Sequence, residues 1–245
     1  MEIKGAVAIV TGASAGIGRA SAKALAARGA SVIVGDIDDT NGNETVKQIK
    51  DAGGEATYVN ADVGTPDGVR ALVAAAESAY GGLDIMHNNA GIMGGEPSWP
   101  DTPLERLALV SAVNFGGVMM GTQAAVQAMR KRGGGAIVNT ASVAGLAPLA
   151  NDAAYGSSKA AVIMLTQTCK ELRDTENVRV NAVLPGIVDT DIINKTGDGT
   201  RPAEWLEPAL QAINMLQPEE IAEVVVEFVE DESLCGETRV VANPA

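Results

Sequence analysis

The stretch "YGSSK", residues 155–159, sets a phenol and an ammonium four residues apart. On a helix that spacing puts Tyr155 and Lys159 on one face, one turn from each other. A phenol with a pKa near 10 is a poor base at neutral pH. A fixed ammonium beside it favours the phenolate, and any further positive charge in the site adds to the effect. Lowering the pKa by roughly three units takes about 4 kcal/mol, within reach of one or two desolvated charges at close range. The pair is therefore a candidate for general acid–base chemistry, although an exposed helix pair has the same spacing. Ser142 ends the strand-like run "GAIVNTAS", where its hydroxyl could hold a substrate oxygen.

A second constellation lies near the start. In "VAIVTGASAGIGRASAKALAARGA", residues 7–30, an apolar strand (Val7–Val10) meets an amphipathic helix (Ile17–Arg28) across Gly12, Gly16 and Gly18. Glycine costs backbone entropy and packs nothing. A helix N-terminus, however, offers unpaired N–H groups and a partial positive charge to phosphate. Side chains on the turn would hold a pyrophosphate away from those donors. Gly12, Ser14, Gly16, Ile17 and Gly18 are thus candidate cofactor positions, close helix–strand packing being the alternative use of the glycines. Asp36 ends the next strand, about 20 residues on, where an acid accepts bonds from a ribose 2′-hydroxyl. It would repel the 2′-phosphate of NADP. Ala15 and Ile37 stand where a basic residue would serve that phosphate, and Arg19 is expected in solvent. NAD is the expected cofactor.

These residues need a frame. Strand-like and helix-like segments alternate along the chain. "SVIVGD" (31–36), "EATYVNADV" (55–63), "LDIMHNNAG" (83–91), "GAIVNTAS" (135–142), "VRVNAVLPG" (178–186) and "TRVVAN" (238–243) follow the first strand. Thr65–Pro66 and Thr102–Pro103 read as cap and first residue of helices, the second running toward Arg132. Further helices are expected from about Tyr155 to Arg173 and from Pro218 to Glu232. Seven strands crossing over through helices predict an α/β fold: one doubly wound, parallel, seven-stranded sheet (Rossmann fold) in a single domain, 1–245. Residues 187–217 lack periodicity, which is long for a loop. They are assigned to the substrate. Ile192, Ile193, Trp205, Leu206, Leu210, Ile213 and Met215, with Met93, Trp99, Val143 and Leu149, could wall an apolar pocket for a small alcohol or ketone.

Composition narrows the function. The 245 residues are 46% hydrophobic but 3% aromatic, so the core is aliphatic. A formal charge of −13 disfavours nucleic acid and anionic membrane as partners. Cys169 and Cys235 show no disulfide or metal spacing, and a single histidine, His87, rules out a histidine-based metal cluster. His87 is read as a packed core residue. With no signal-like start and no apolar run of membrane-spanning length, a soluble cytoplasmic protein is expected.

The spacing Thr11-Gly12-x-x-x-Gly16-x-Gly18 resembles the short-chain dehydrogenase/reductase family, in its compact single-domain branch. The likeness extends in order through "DV" (62–63), "NNAG" (88–91), Asn114, Ser142, "YGSSK" and "PGIVDT" (185–190). Within the family, "SVAGLAPLANDAAYGSSK" and "VEDESLCG" resemble 15-hydroxyprostaglandin dehydrogenases. The resemblance implies that Tyr155 is the general acid/base and that Ser142 orients the substrate oxygen. Lys159 would serve the ribose and the phenol, and Asn114 a water-linked proton relay. It further implies that Asp62 and Val63 meet the adenine. Asn88, Asn89, Ala90 and Gly91 would line the cofactor, and Pro185, Gly186, Ile187, Val188 and Thr190 would lie about the nicotinamide. Hydride would pass directly, with no metal. Homodimers or homotetramers are implied, although "VVANPA" departs from the family's frequent V-D-G-G. A reductase of 3-oxoacyl groups on an acyl carrier is the enzymatic alternative, disfavoured by Asp36 and the acidic charge. A non-catalytic cofactor sensor is the other, and it would tolerate loss of the catalytic residues, all of which are present.

Overall fold

The computed structural model describes residues 1–244. Its strands are β1 (Val7–Thr11), β2 (Ser31–Asp36), β3 (Glu55–Asn60), β4 (Ile85–Asn88), β5 (Gly135–Thr140), β6 (Val178–Pro185) and β7 (Thr238–Val241). They form one sheet in the order β3-β2-β1-β4-β5-β6-β7, every pairing parallel. Strands covered on both faces need apolar residues throughout rather than alternation. Accordingly β1 and β6 are buried along their whole lengths.

The helices are α1 (Gly16–Ala27), α2 (Asp39–Asp51), α3 (Pro66–Tyr80), α4 (Leu104–Ser111), α5 (Val118–Met129), α6 (Ala153–Thr168), α7 (Leu172–Glu176), α8 (Glu207–Ala212) and α9 (Pro218–Glu230). On one face Leu25 of α1 and Val225, Phe228 and Val229 of α9 pack with Val10 and Val34. On the other, Leu72 of α3 and Val126 and Met129 of α5 pack with Ile9, Ile33 and Ile137. Full burial of one such side chain contributes about 1.5–3 kcal/mol. Chain order reverses between β1 and β4, and ligands of such sheets sit outside the strands' carboxyl ends at that point. Gly12 and Asn89 stand there.

Several boundaries differ from the sequence reading. Thr65 does cap α3, accepting from Gly68 N–H at 3.1 Å, with Pro66 in the first turn. Thr102 does not repeat this. Its hydroxyl donates to the Pro97 carbonyl, and α4 starts at Leu104 without a side-chain cap. The helical run from there to Arg132 is broken by a π-helical stretch, Ala112–Gly117. That run is also, by length and mean composition, apolar enough to cross a membrane, although Ser111, Asn114, Thr122 and Gln123 interrupt it. Here Val110, Val118, Val126 and Met129 are buried in the protein's own core. Residues 187–217 are not irregular throughout. They hold single turns at Asn194–Thr196 and Glu204–Leu206, then α8, and a bridge ties Val188 to Leu216.

Candidate active site

The crevice is floored by the glycine turn. Gly12 has φ +62°, and a Cβ on Gly18 would lie 2.1 Å from the Gly12 carbonyl oxygen. Gly16 faces Thr190, whose Cγ2 would be 2.8 Å from an added Cβ. The glycines are therefore required first by contacts within the chain itself. Ile17 turns inward onto the core. The N-cap of α1, Ala15, supplies no side-chain acceptor, and the first turn holds no acid. An uncapped N-terminus fits a phosphate, whose oxygens would take the place of the missing cap.

Asp36 closes this end of the crevice. One carboxylate oxygen accepts Ser14 N–H at 3.0 Å, and the other accepts Ile37 N–H at 2.8 Å and Asp38 N–H at 3.1 Å. The acid is thus held by backbone while Ile37 is 69% exposed at the rim. Arg19 is not in solvent as expected. Its guanidinium, half-buried, donates to Thr45 Oγ1 at 2.9 Å and to the Ser14 carbonyl. The physical reason is that one turn into α1 it overhangs α2, whose Thr45 and Asn41 offer acceptors. Asp62 is exposed and accepts Gly64 N–H at 2.9 Å, next to buried Val63.

The loop after β4 is stitched to β1. Thr11 Oγ1 accepts from Asn89 N–H at 2.9 Å and from Ala90 N–H at 3.1 Å. Asn89 Nδ2 donates back to the Thr11 carbonyl at 3.0 Å. Asn88 does not line the crevice. Strand alternation turns it into the interior, where Nδ2 meets Asn139 Oδ1 at 2.9 Å and Thr122 Oγ1 at 3.2 Å. Gly91 lies between Lys159 Nζ and Asn114 Oδ1, 3.3 and 3.6 Å from where its Cβ would be.

The reacting groups gather at the end of β5. Asn114 sits in the π-helical stretch and exchanges two bonds with Ile92, Oδ1 accepting at 2.8 Å and Nδ2 donating at 2.9 Å. Lys159 is 2% exposed, donates to the Thr140 carbonyl at 2.8 Å and lies 5.6 Å from the centroid of the Tyr155 ring. Burial pushes its pKa down to about 8. Burial pushes Tyr155 up to about 12, with Ser142 hydrogen bonding pulling down and the charge of Asp152 pushing up. The ammonium itself is committed to the Thr140 carbonyl at the strand end. Ser142 reaches the Pro185 carbonyl at 3.4 Å and accepts from Ala144 N–H. His87 is fully buried, its Nε2 2.9 Å from Thr140 Oγ1, and burial drives its pKa down to about 3.

The sequence model of the family described as short chain dehydrogenase matches residues 6–201. The chain belongs to that family. Among its relatives, cis-4-hydroxycyclohexanecarboxylate dehydrogenase of Sinomonas cyclohexanicum is 37% identical over 92% of this chain and 89% of its own. Cyclohexanol dehydrogenase of Acinetobacter sp. (strain SE19) is 36% identical over 93% and 88%. A solved short-chain type dehydrogenase/reductase from Mycobacterium marinum superposes with a TM-score of 0.85 at 30% identity, covering 98% of this chain and 95% of that one. The chain is accordingly an oxidoreductase of the short-chain dehydrogenase family, whose fold binds a nicotinamide cofactor.

Two supports of this short-chain dehydrogenase site escaped the sequence reading. Asn243, beyond β7, accepts Ile187 N–H at 2.8 Å and donates to the Ile187 carbonyl at 2.7 Å, pinning the turn Pro185–Gly186–Ile187. Gly186 is needed there, since a Cβ would lie 2.2 Å from Asn243 Oδ1. No local pattern marks a residue whose partner is 56 positions away. Asp152 caps α6 through Tyr155 N–H, and its spacing before the helix is a signal that could have been read. Not all the expected pocket residues come together. Trp99 and Leu149 line a hollow of about 450 Å³ on the Gly156–Ser157–Ala160 flank of α6, which takes no lining from 187–217. Val188 and Met93 are buried, while Ile192, Ile193, Trp205, Leu206, Leu210 and Ile213 are half-buried.

Proposed function

We propose that this chain is an NAD-dependent dehydrogenase of a small, apolar, cyclic secondary alcohol, working in either direction between alcohol and ketone. The observation that carries the reading is the gathering of Ser142, Tyr155 and Lys159 at the end of β5, beside the uncapped start of α1. The ring substrate follows from the relatives' names, two of which are dehydrogenases of ring alcohols. The half-buried Ile192, Ile193 and Leu206 supply apolar surface to match. NAD rather than NADP rests on Asp36, whose carboxylate is fastened at the rim.

Gly12, Ser14, Gly16, Ile17 and Gly18 would cradle the pyrophosphate, and Asp36 with Ile37 the adenosine ribose. Asp62 and Val63 would meet the adenine. Asn89, Ala90 and Gly91 would line the middle of the cofactor, and Pro185, Gly186, Ile187, Val188 and Thr190 the nicotinamide end. When bound, NAD supplies the hydride acceptor and a positive ring beside the phenol. Ser142 holds the substrate oxygen. Tyr155 Oη takes the hydroxyl proton in oxidation and returns it in reduction. Lys159 holds the ribose and stabilises the phenolate. Asn114, tied to the Ile92 backbone, keeps the π-helical stretch open for a water relay. The reading includes a cytoplasmic homodimer or homotetramer. Exposed Leu104, Leu109, Met119 and Met164 on α4, α5 and α6 offer apolar surface for such a contact.

The test is turnover of cyclohexanol and related ring alcohols with NAD, followed by reduced-nicotinamide absorbance. Turnover of ring alcohols that is lost in Tyr155→Phe is the expected result. Cofactor binding without turnover of any secondary alcohol would refute it in favour of a sensor.

A further inference from the structure

The proposed chemistry leaves unused one buried carboxylate at the start of α6, the helix that carries Tyr155. Asp152 is 6% exposed and immediately precedes α6. One of its oxygens accepts Tyr155 N–H at 3.0 Å, capping the helix that carries the base. The other accepts Gly94 N–H at 2.6 Å, in the loop that follows β4. The contact excludes any side chain at Gly94, where a Cβ would lie 2.8 Å from Asp152 Oδ1. From α4, Arg106 holds the same loop by its carbonyls, Nε donating to Met93 at 3.1 Å and to Gly94 at 3.2 Å. Residues 93–94 are therefore gripped from two elements at once.

A neutral Ser, Thr or Asn caps a helix as well as Asp does. What only a carboxylate supplies is two acceptor oxygens for N–H groups of two different elements, since an amide would turn its NH2 toward one of them. The choice also sets a negative charge at the start of the helix that carries the phenol. We propose that Asp152 is a positioning residue that locks the loop after β4 onto the start of the catalytic helix.

The proposal rests on the reading of Tyr155 as general base. Lys159 lies on the phenol's own helix, and Asp152 stands at that helix's start. β5 and the following turn bring Ser142, which carries no charge, and the π-helical stretch brings Asn114. The loop after β4 brings neutral backbone with Arg106 behind it. The turn after β6 brings the Pro185 carbonyl. Asp152 is thus the anion in this set, and its charge adds to burial in holding the phenol protonated.

The experiment compares the pH profile of alcohol oxidation in Asp152→Asn, Asp152→Ser and Asp152→Glu with the wild type and Tyr155→Phe. Asn keeps the cap and removes the charge. The alkaline-rising limb of kcat/KM should move to lower pH by about 0.5–1 unit, as loss of one nearby anion requires. The KM for the alcohol should rise about 3–10-fold as the loop is freed. Ser, a shorter neutral cap, should move the limb equally, and Glu should return it toward the wild-type position. An alcohol KM that stays at the wild-type value in both Asn and Ser variants that melt cooperatively would overturn the proposal and leave Asp152 a plain cap. Failure of the underlying reading looks different: Tyr155→Phe would then keep wild-type turnover whatever Asp152 does.

Discussion

The cofactor preference can be tested by removing one charge. Asp36 carries both the proposed discrimination and part of the glycine turn, since it accepts Ser14, Ile37 and Asp38 N–H groups. Asp36→Ala would confound the two by releasing the turn. Asp36→Asn removes the charge and keeps an acceptor for Ile37 and Asp38 N–H, giving up only the Ser14 N–H contact, and Ile37→Arg adds a cation at a position already 69% exposed. Two unit charges 4 Å apart interact by about 4 kcal/mol at an effective dielectric constant of about 20. The rim is open, so solvent and salt reduce this to about 2–3 kcal/mol, or roughly 30–150-fold in selectivity. The wild type should prefer NAD by at least that factor in kcat/KM. The double variant should erase most of the preference, chiefly by lowering the KM for NADP. Matched kcat/KM assays with both cofactors at two salt concentrations measure it, the preference shrinking at higher salt. Equal wild-type efficiencies, or a double variant that keeps the full preference, would refute the electrostatic argument.

Other expectations concern the reacting groups and the walls. Tyr155→Phe should bind NAD nearly as the wild type does and lose about 10²–10⁴-fold in turnover. Lys159→Met should weaken NAD binding and move the alkaline-rising limb of oxidation upward. The same variant has a stability signature. The folded pKa of Lys159, about 8, lies below its ordinary 10.5, so folding disfavours its charge. Between those values the unfolded chain binds more protons, and stability rises with pH. Relative to Lys159→Met, the wild type should gain on the order of 3 kcal/mol from pH 8 to 10.5 in urea titrations. Gly18→Ala, which forces a methyl against the Gly12 carbonyl, should cost about 1–3 kcal/mol and abolish NAD binding; normal binding would contradict the geometry. If 187–217 closes on substrate, Trp205 fluorescence and protease sensitivity should change with NAD plus alcohol. Unchanged signals at saturation would dismiss the lid.

Local order was legible because it obeys local physics. Uninterrupted aliphatic runs announce strands buried on both faces, Thr65–Pro66 announces a helix start, and Tyr155 and Lys159 share a face by helical pitch alone. Glycine at 12, 16 and 18 marks a turn that tolerates no side chain, whatever lies over it. The ordered family motifs add fold and kinship. What the chain could not show by itself were the partners that distant segments provide. The Thr102–Pro103 pair mimics a cap, yet the Thr102 hydroxyl is taken by Pro97. Asn88 and Asn89 are adjacent and alike, but strand alternation sends one to Thr122 and the other to β1. Arg19 is drawn down by acceptors on α2. The phenol's ionisation depends on burial, which no spacing rule contains, and so Tyr155 stands above its ordinary pKa. Asn243 and Asp152 hold the site through backbone groups 56 and 58 residues away. Periodicity records which face of an element is apolar; only the packed structure decides which polar group waits on the other side.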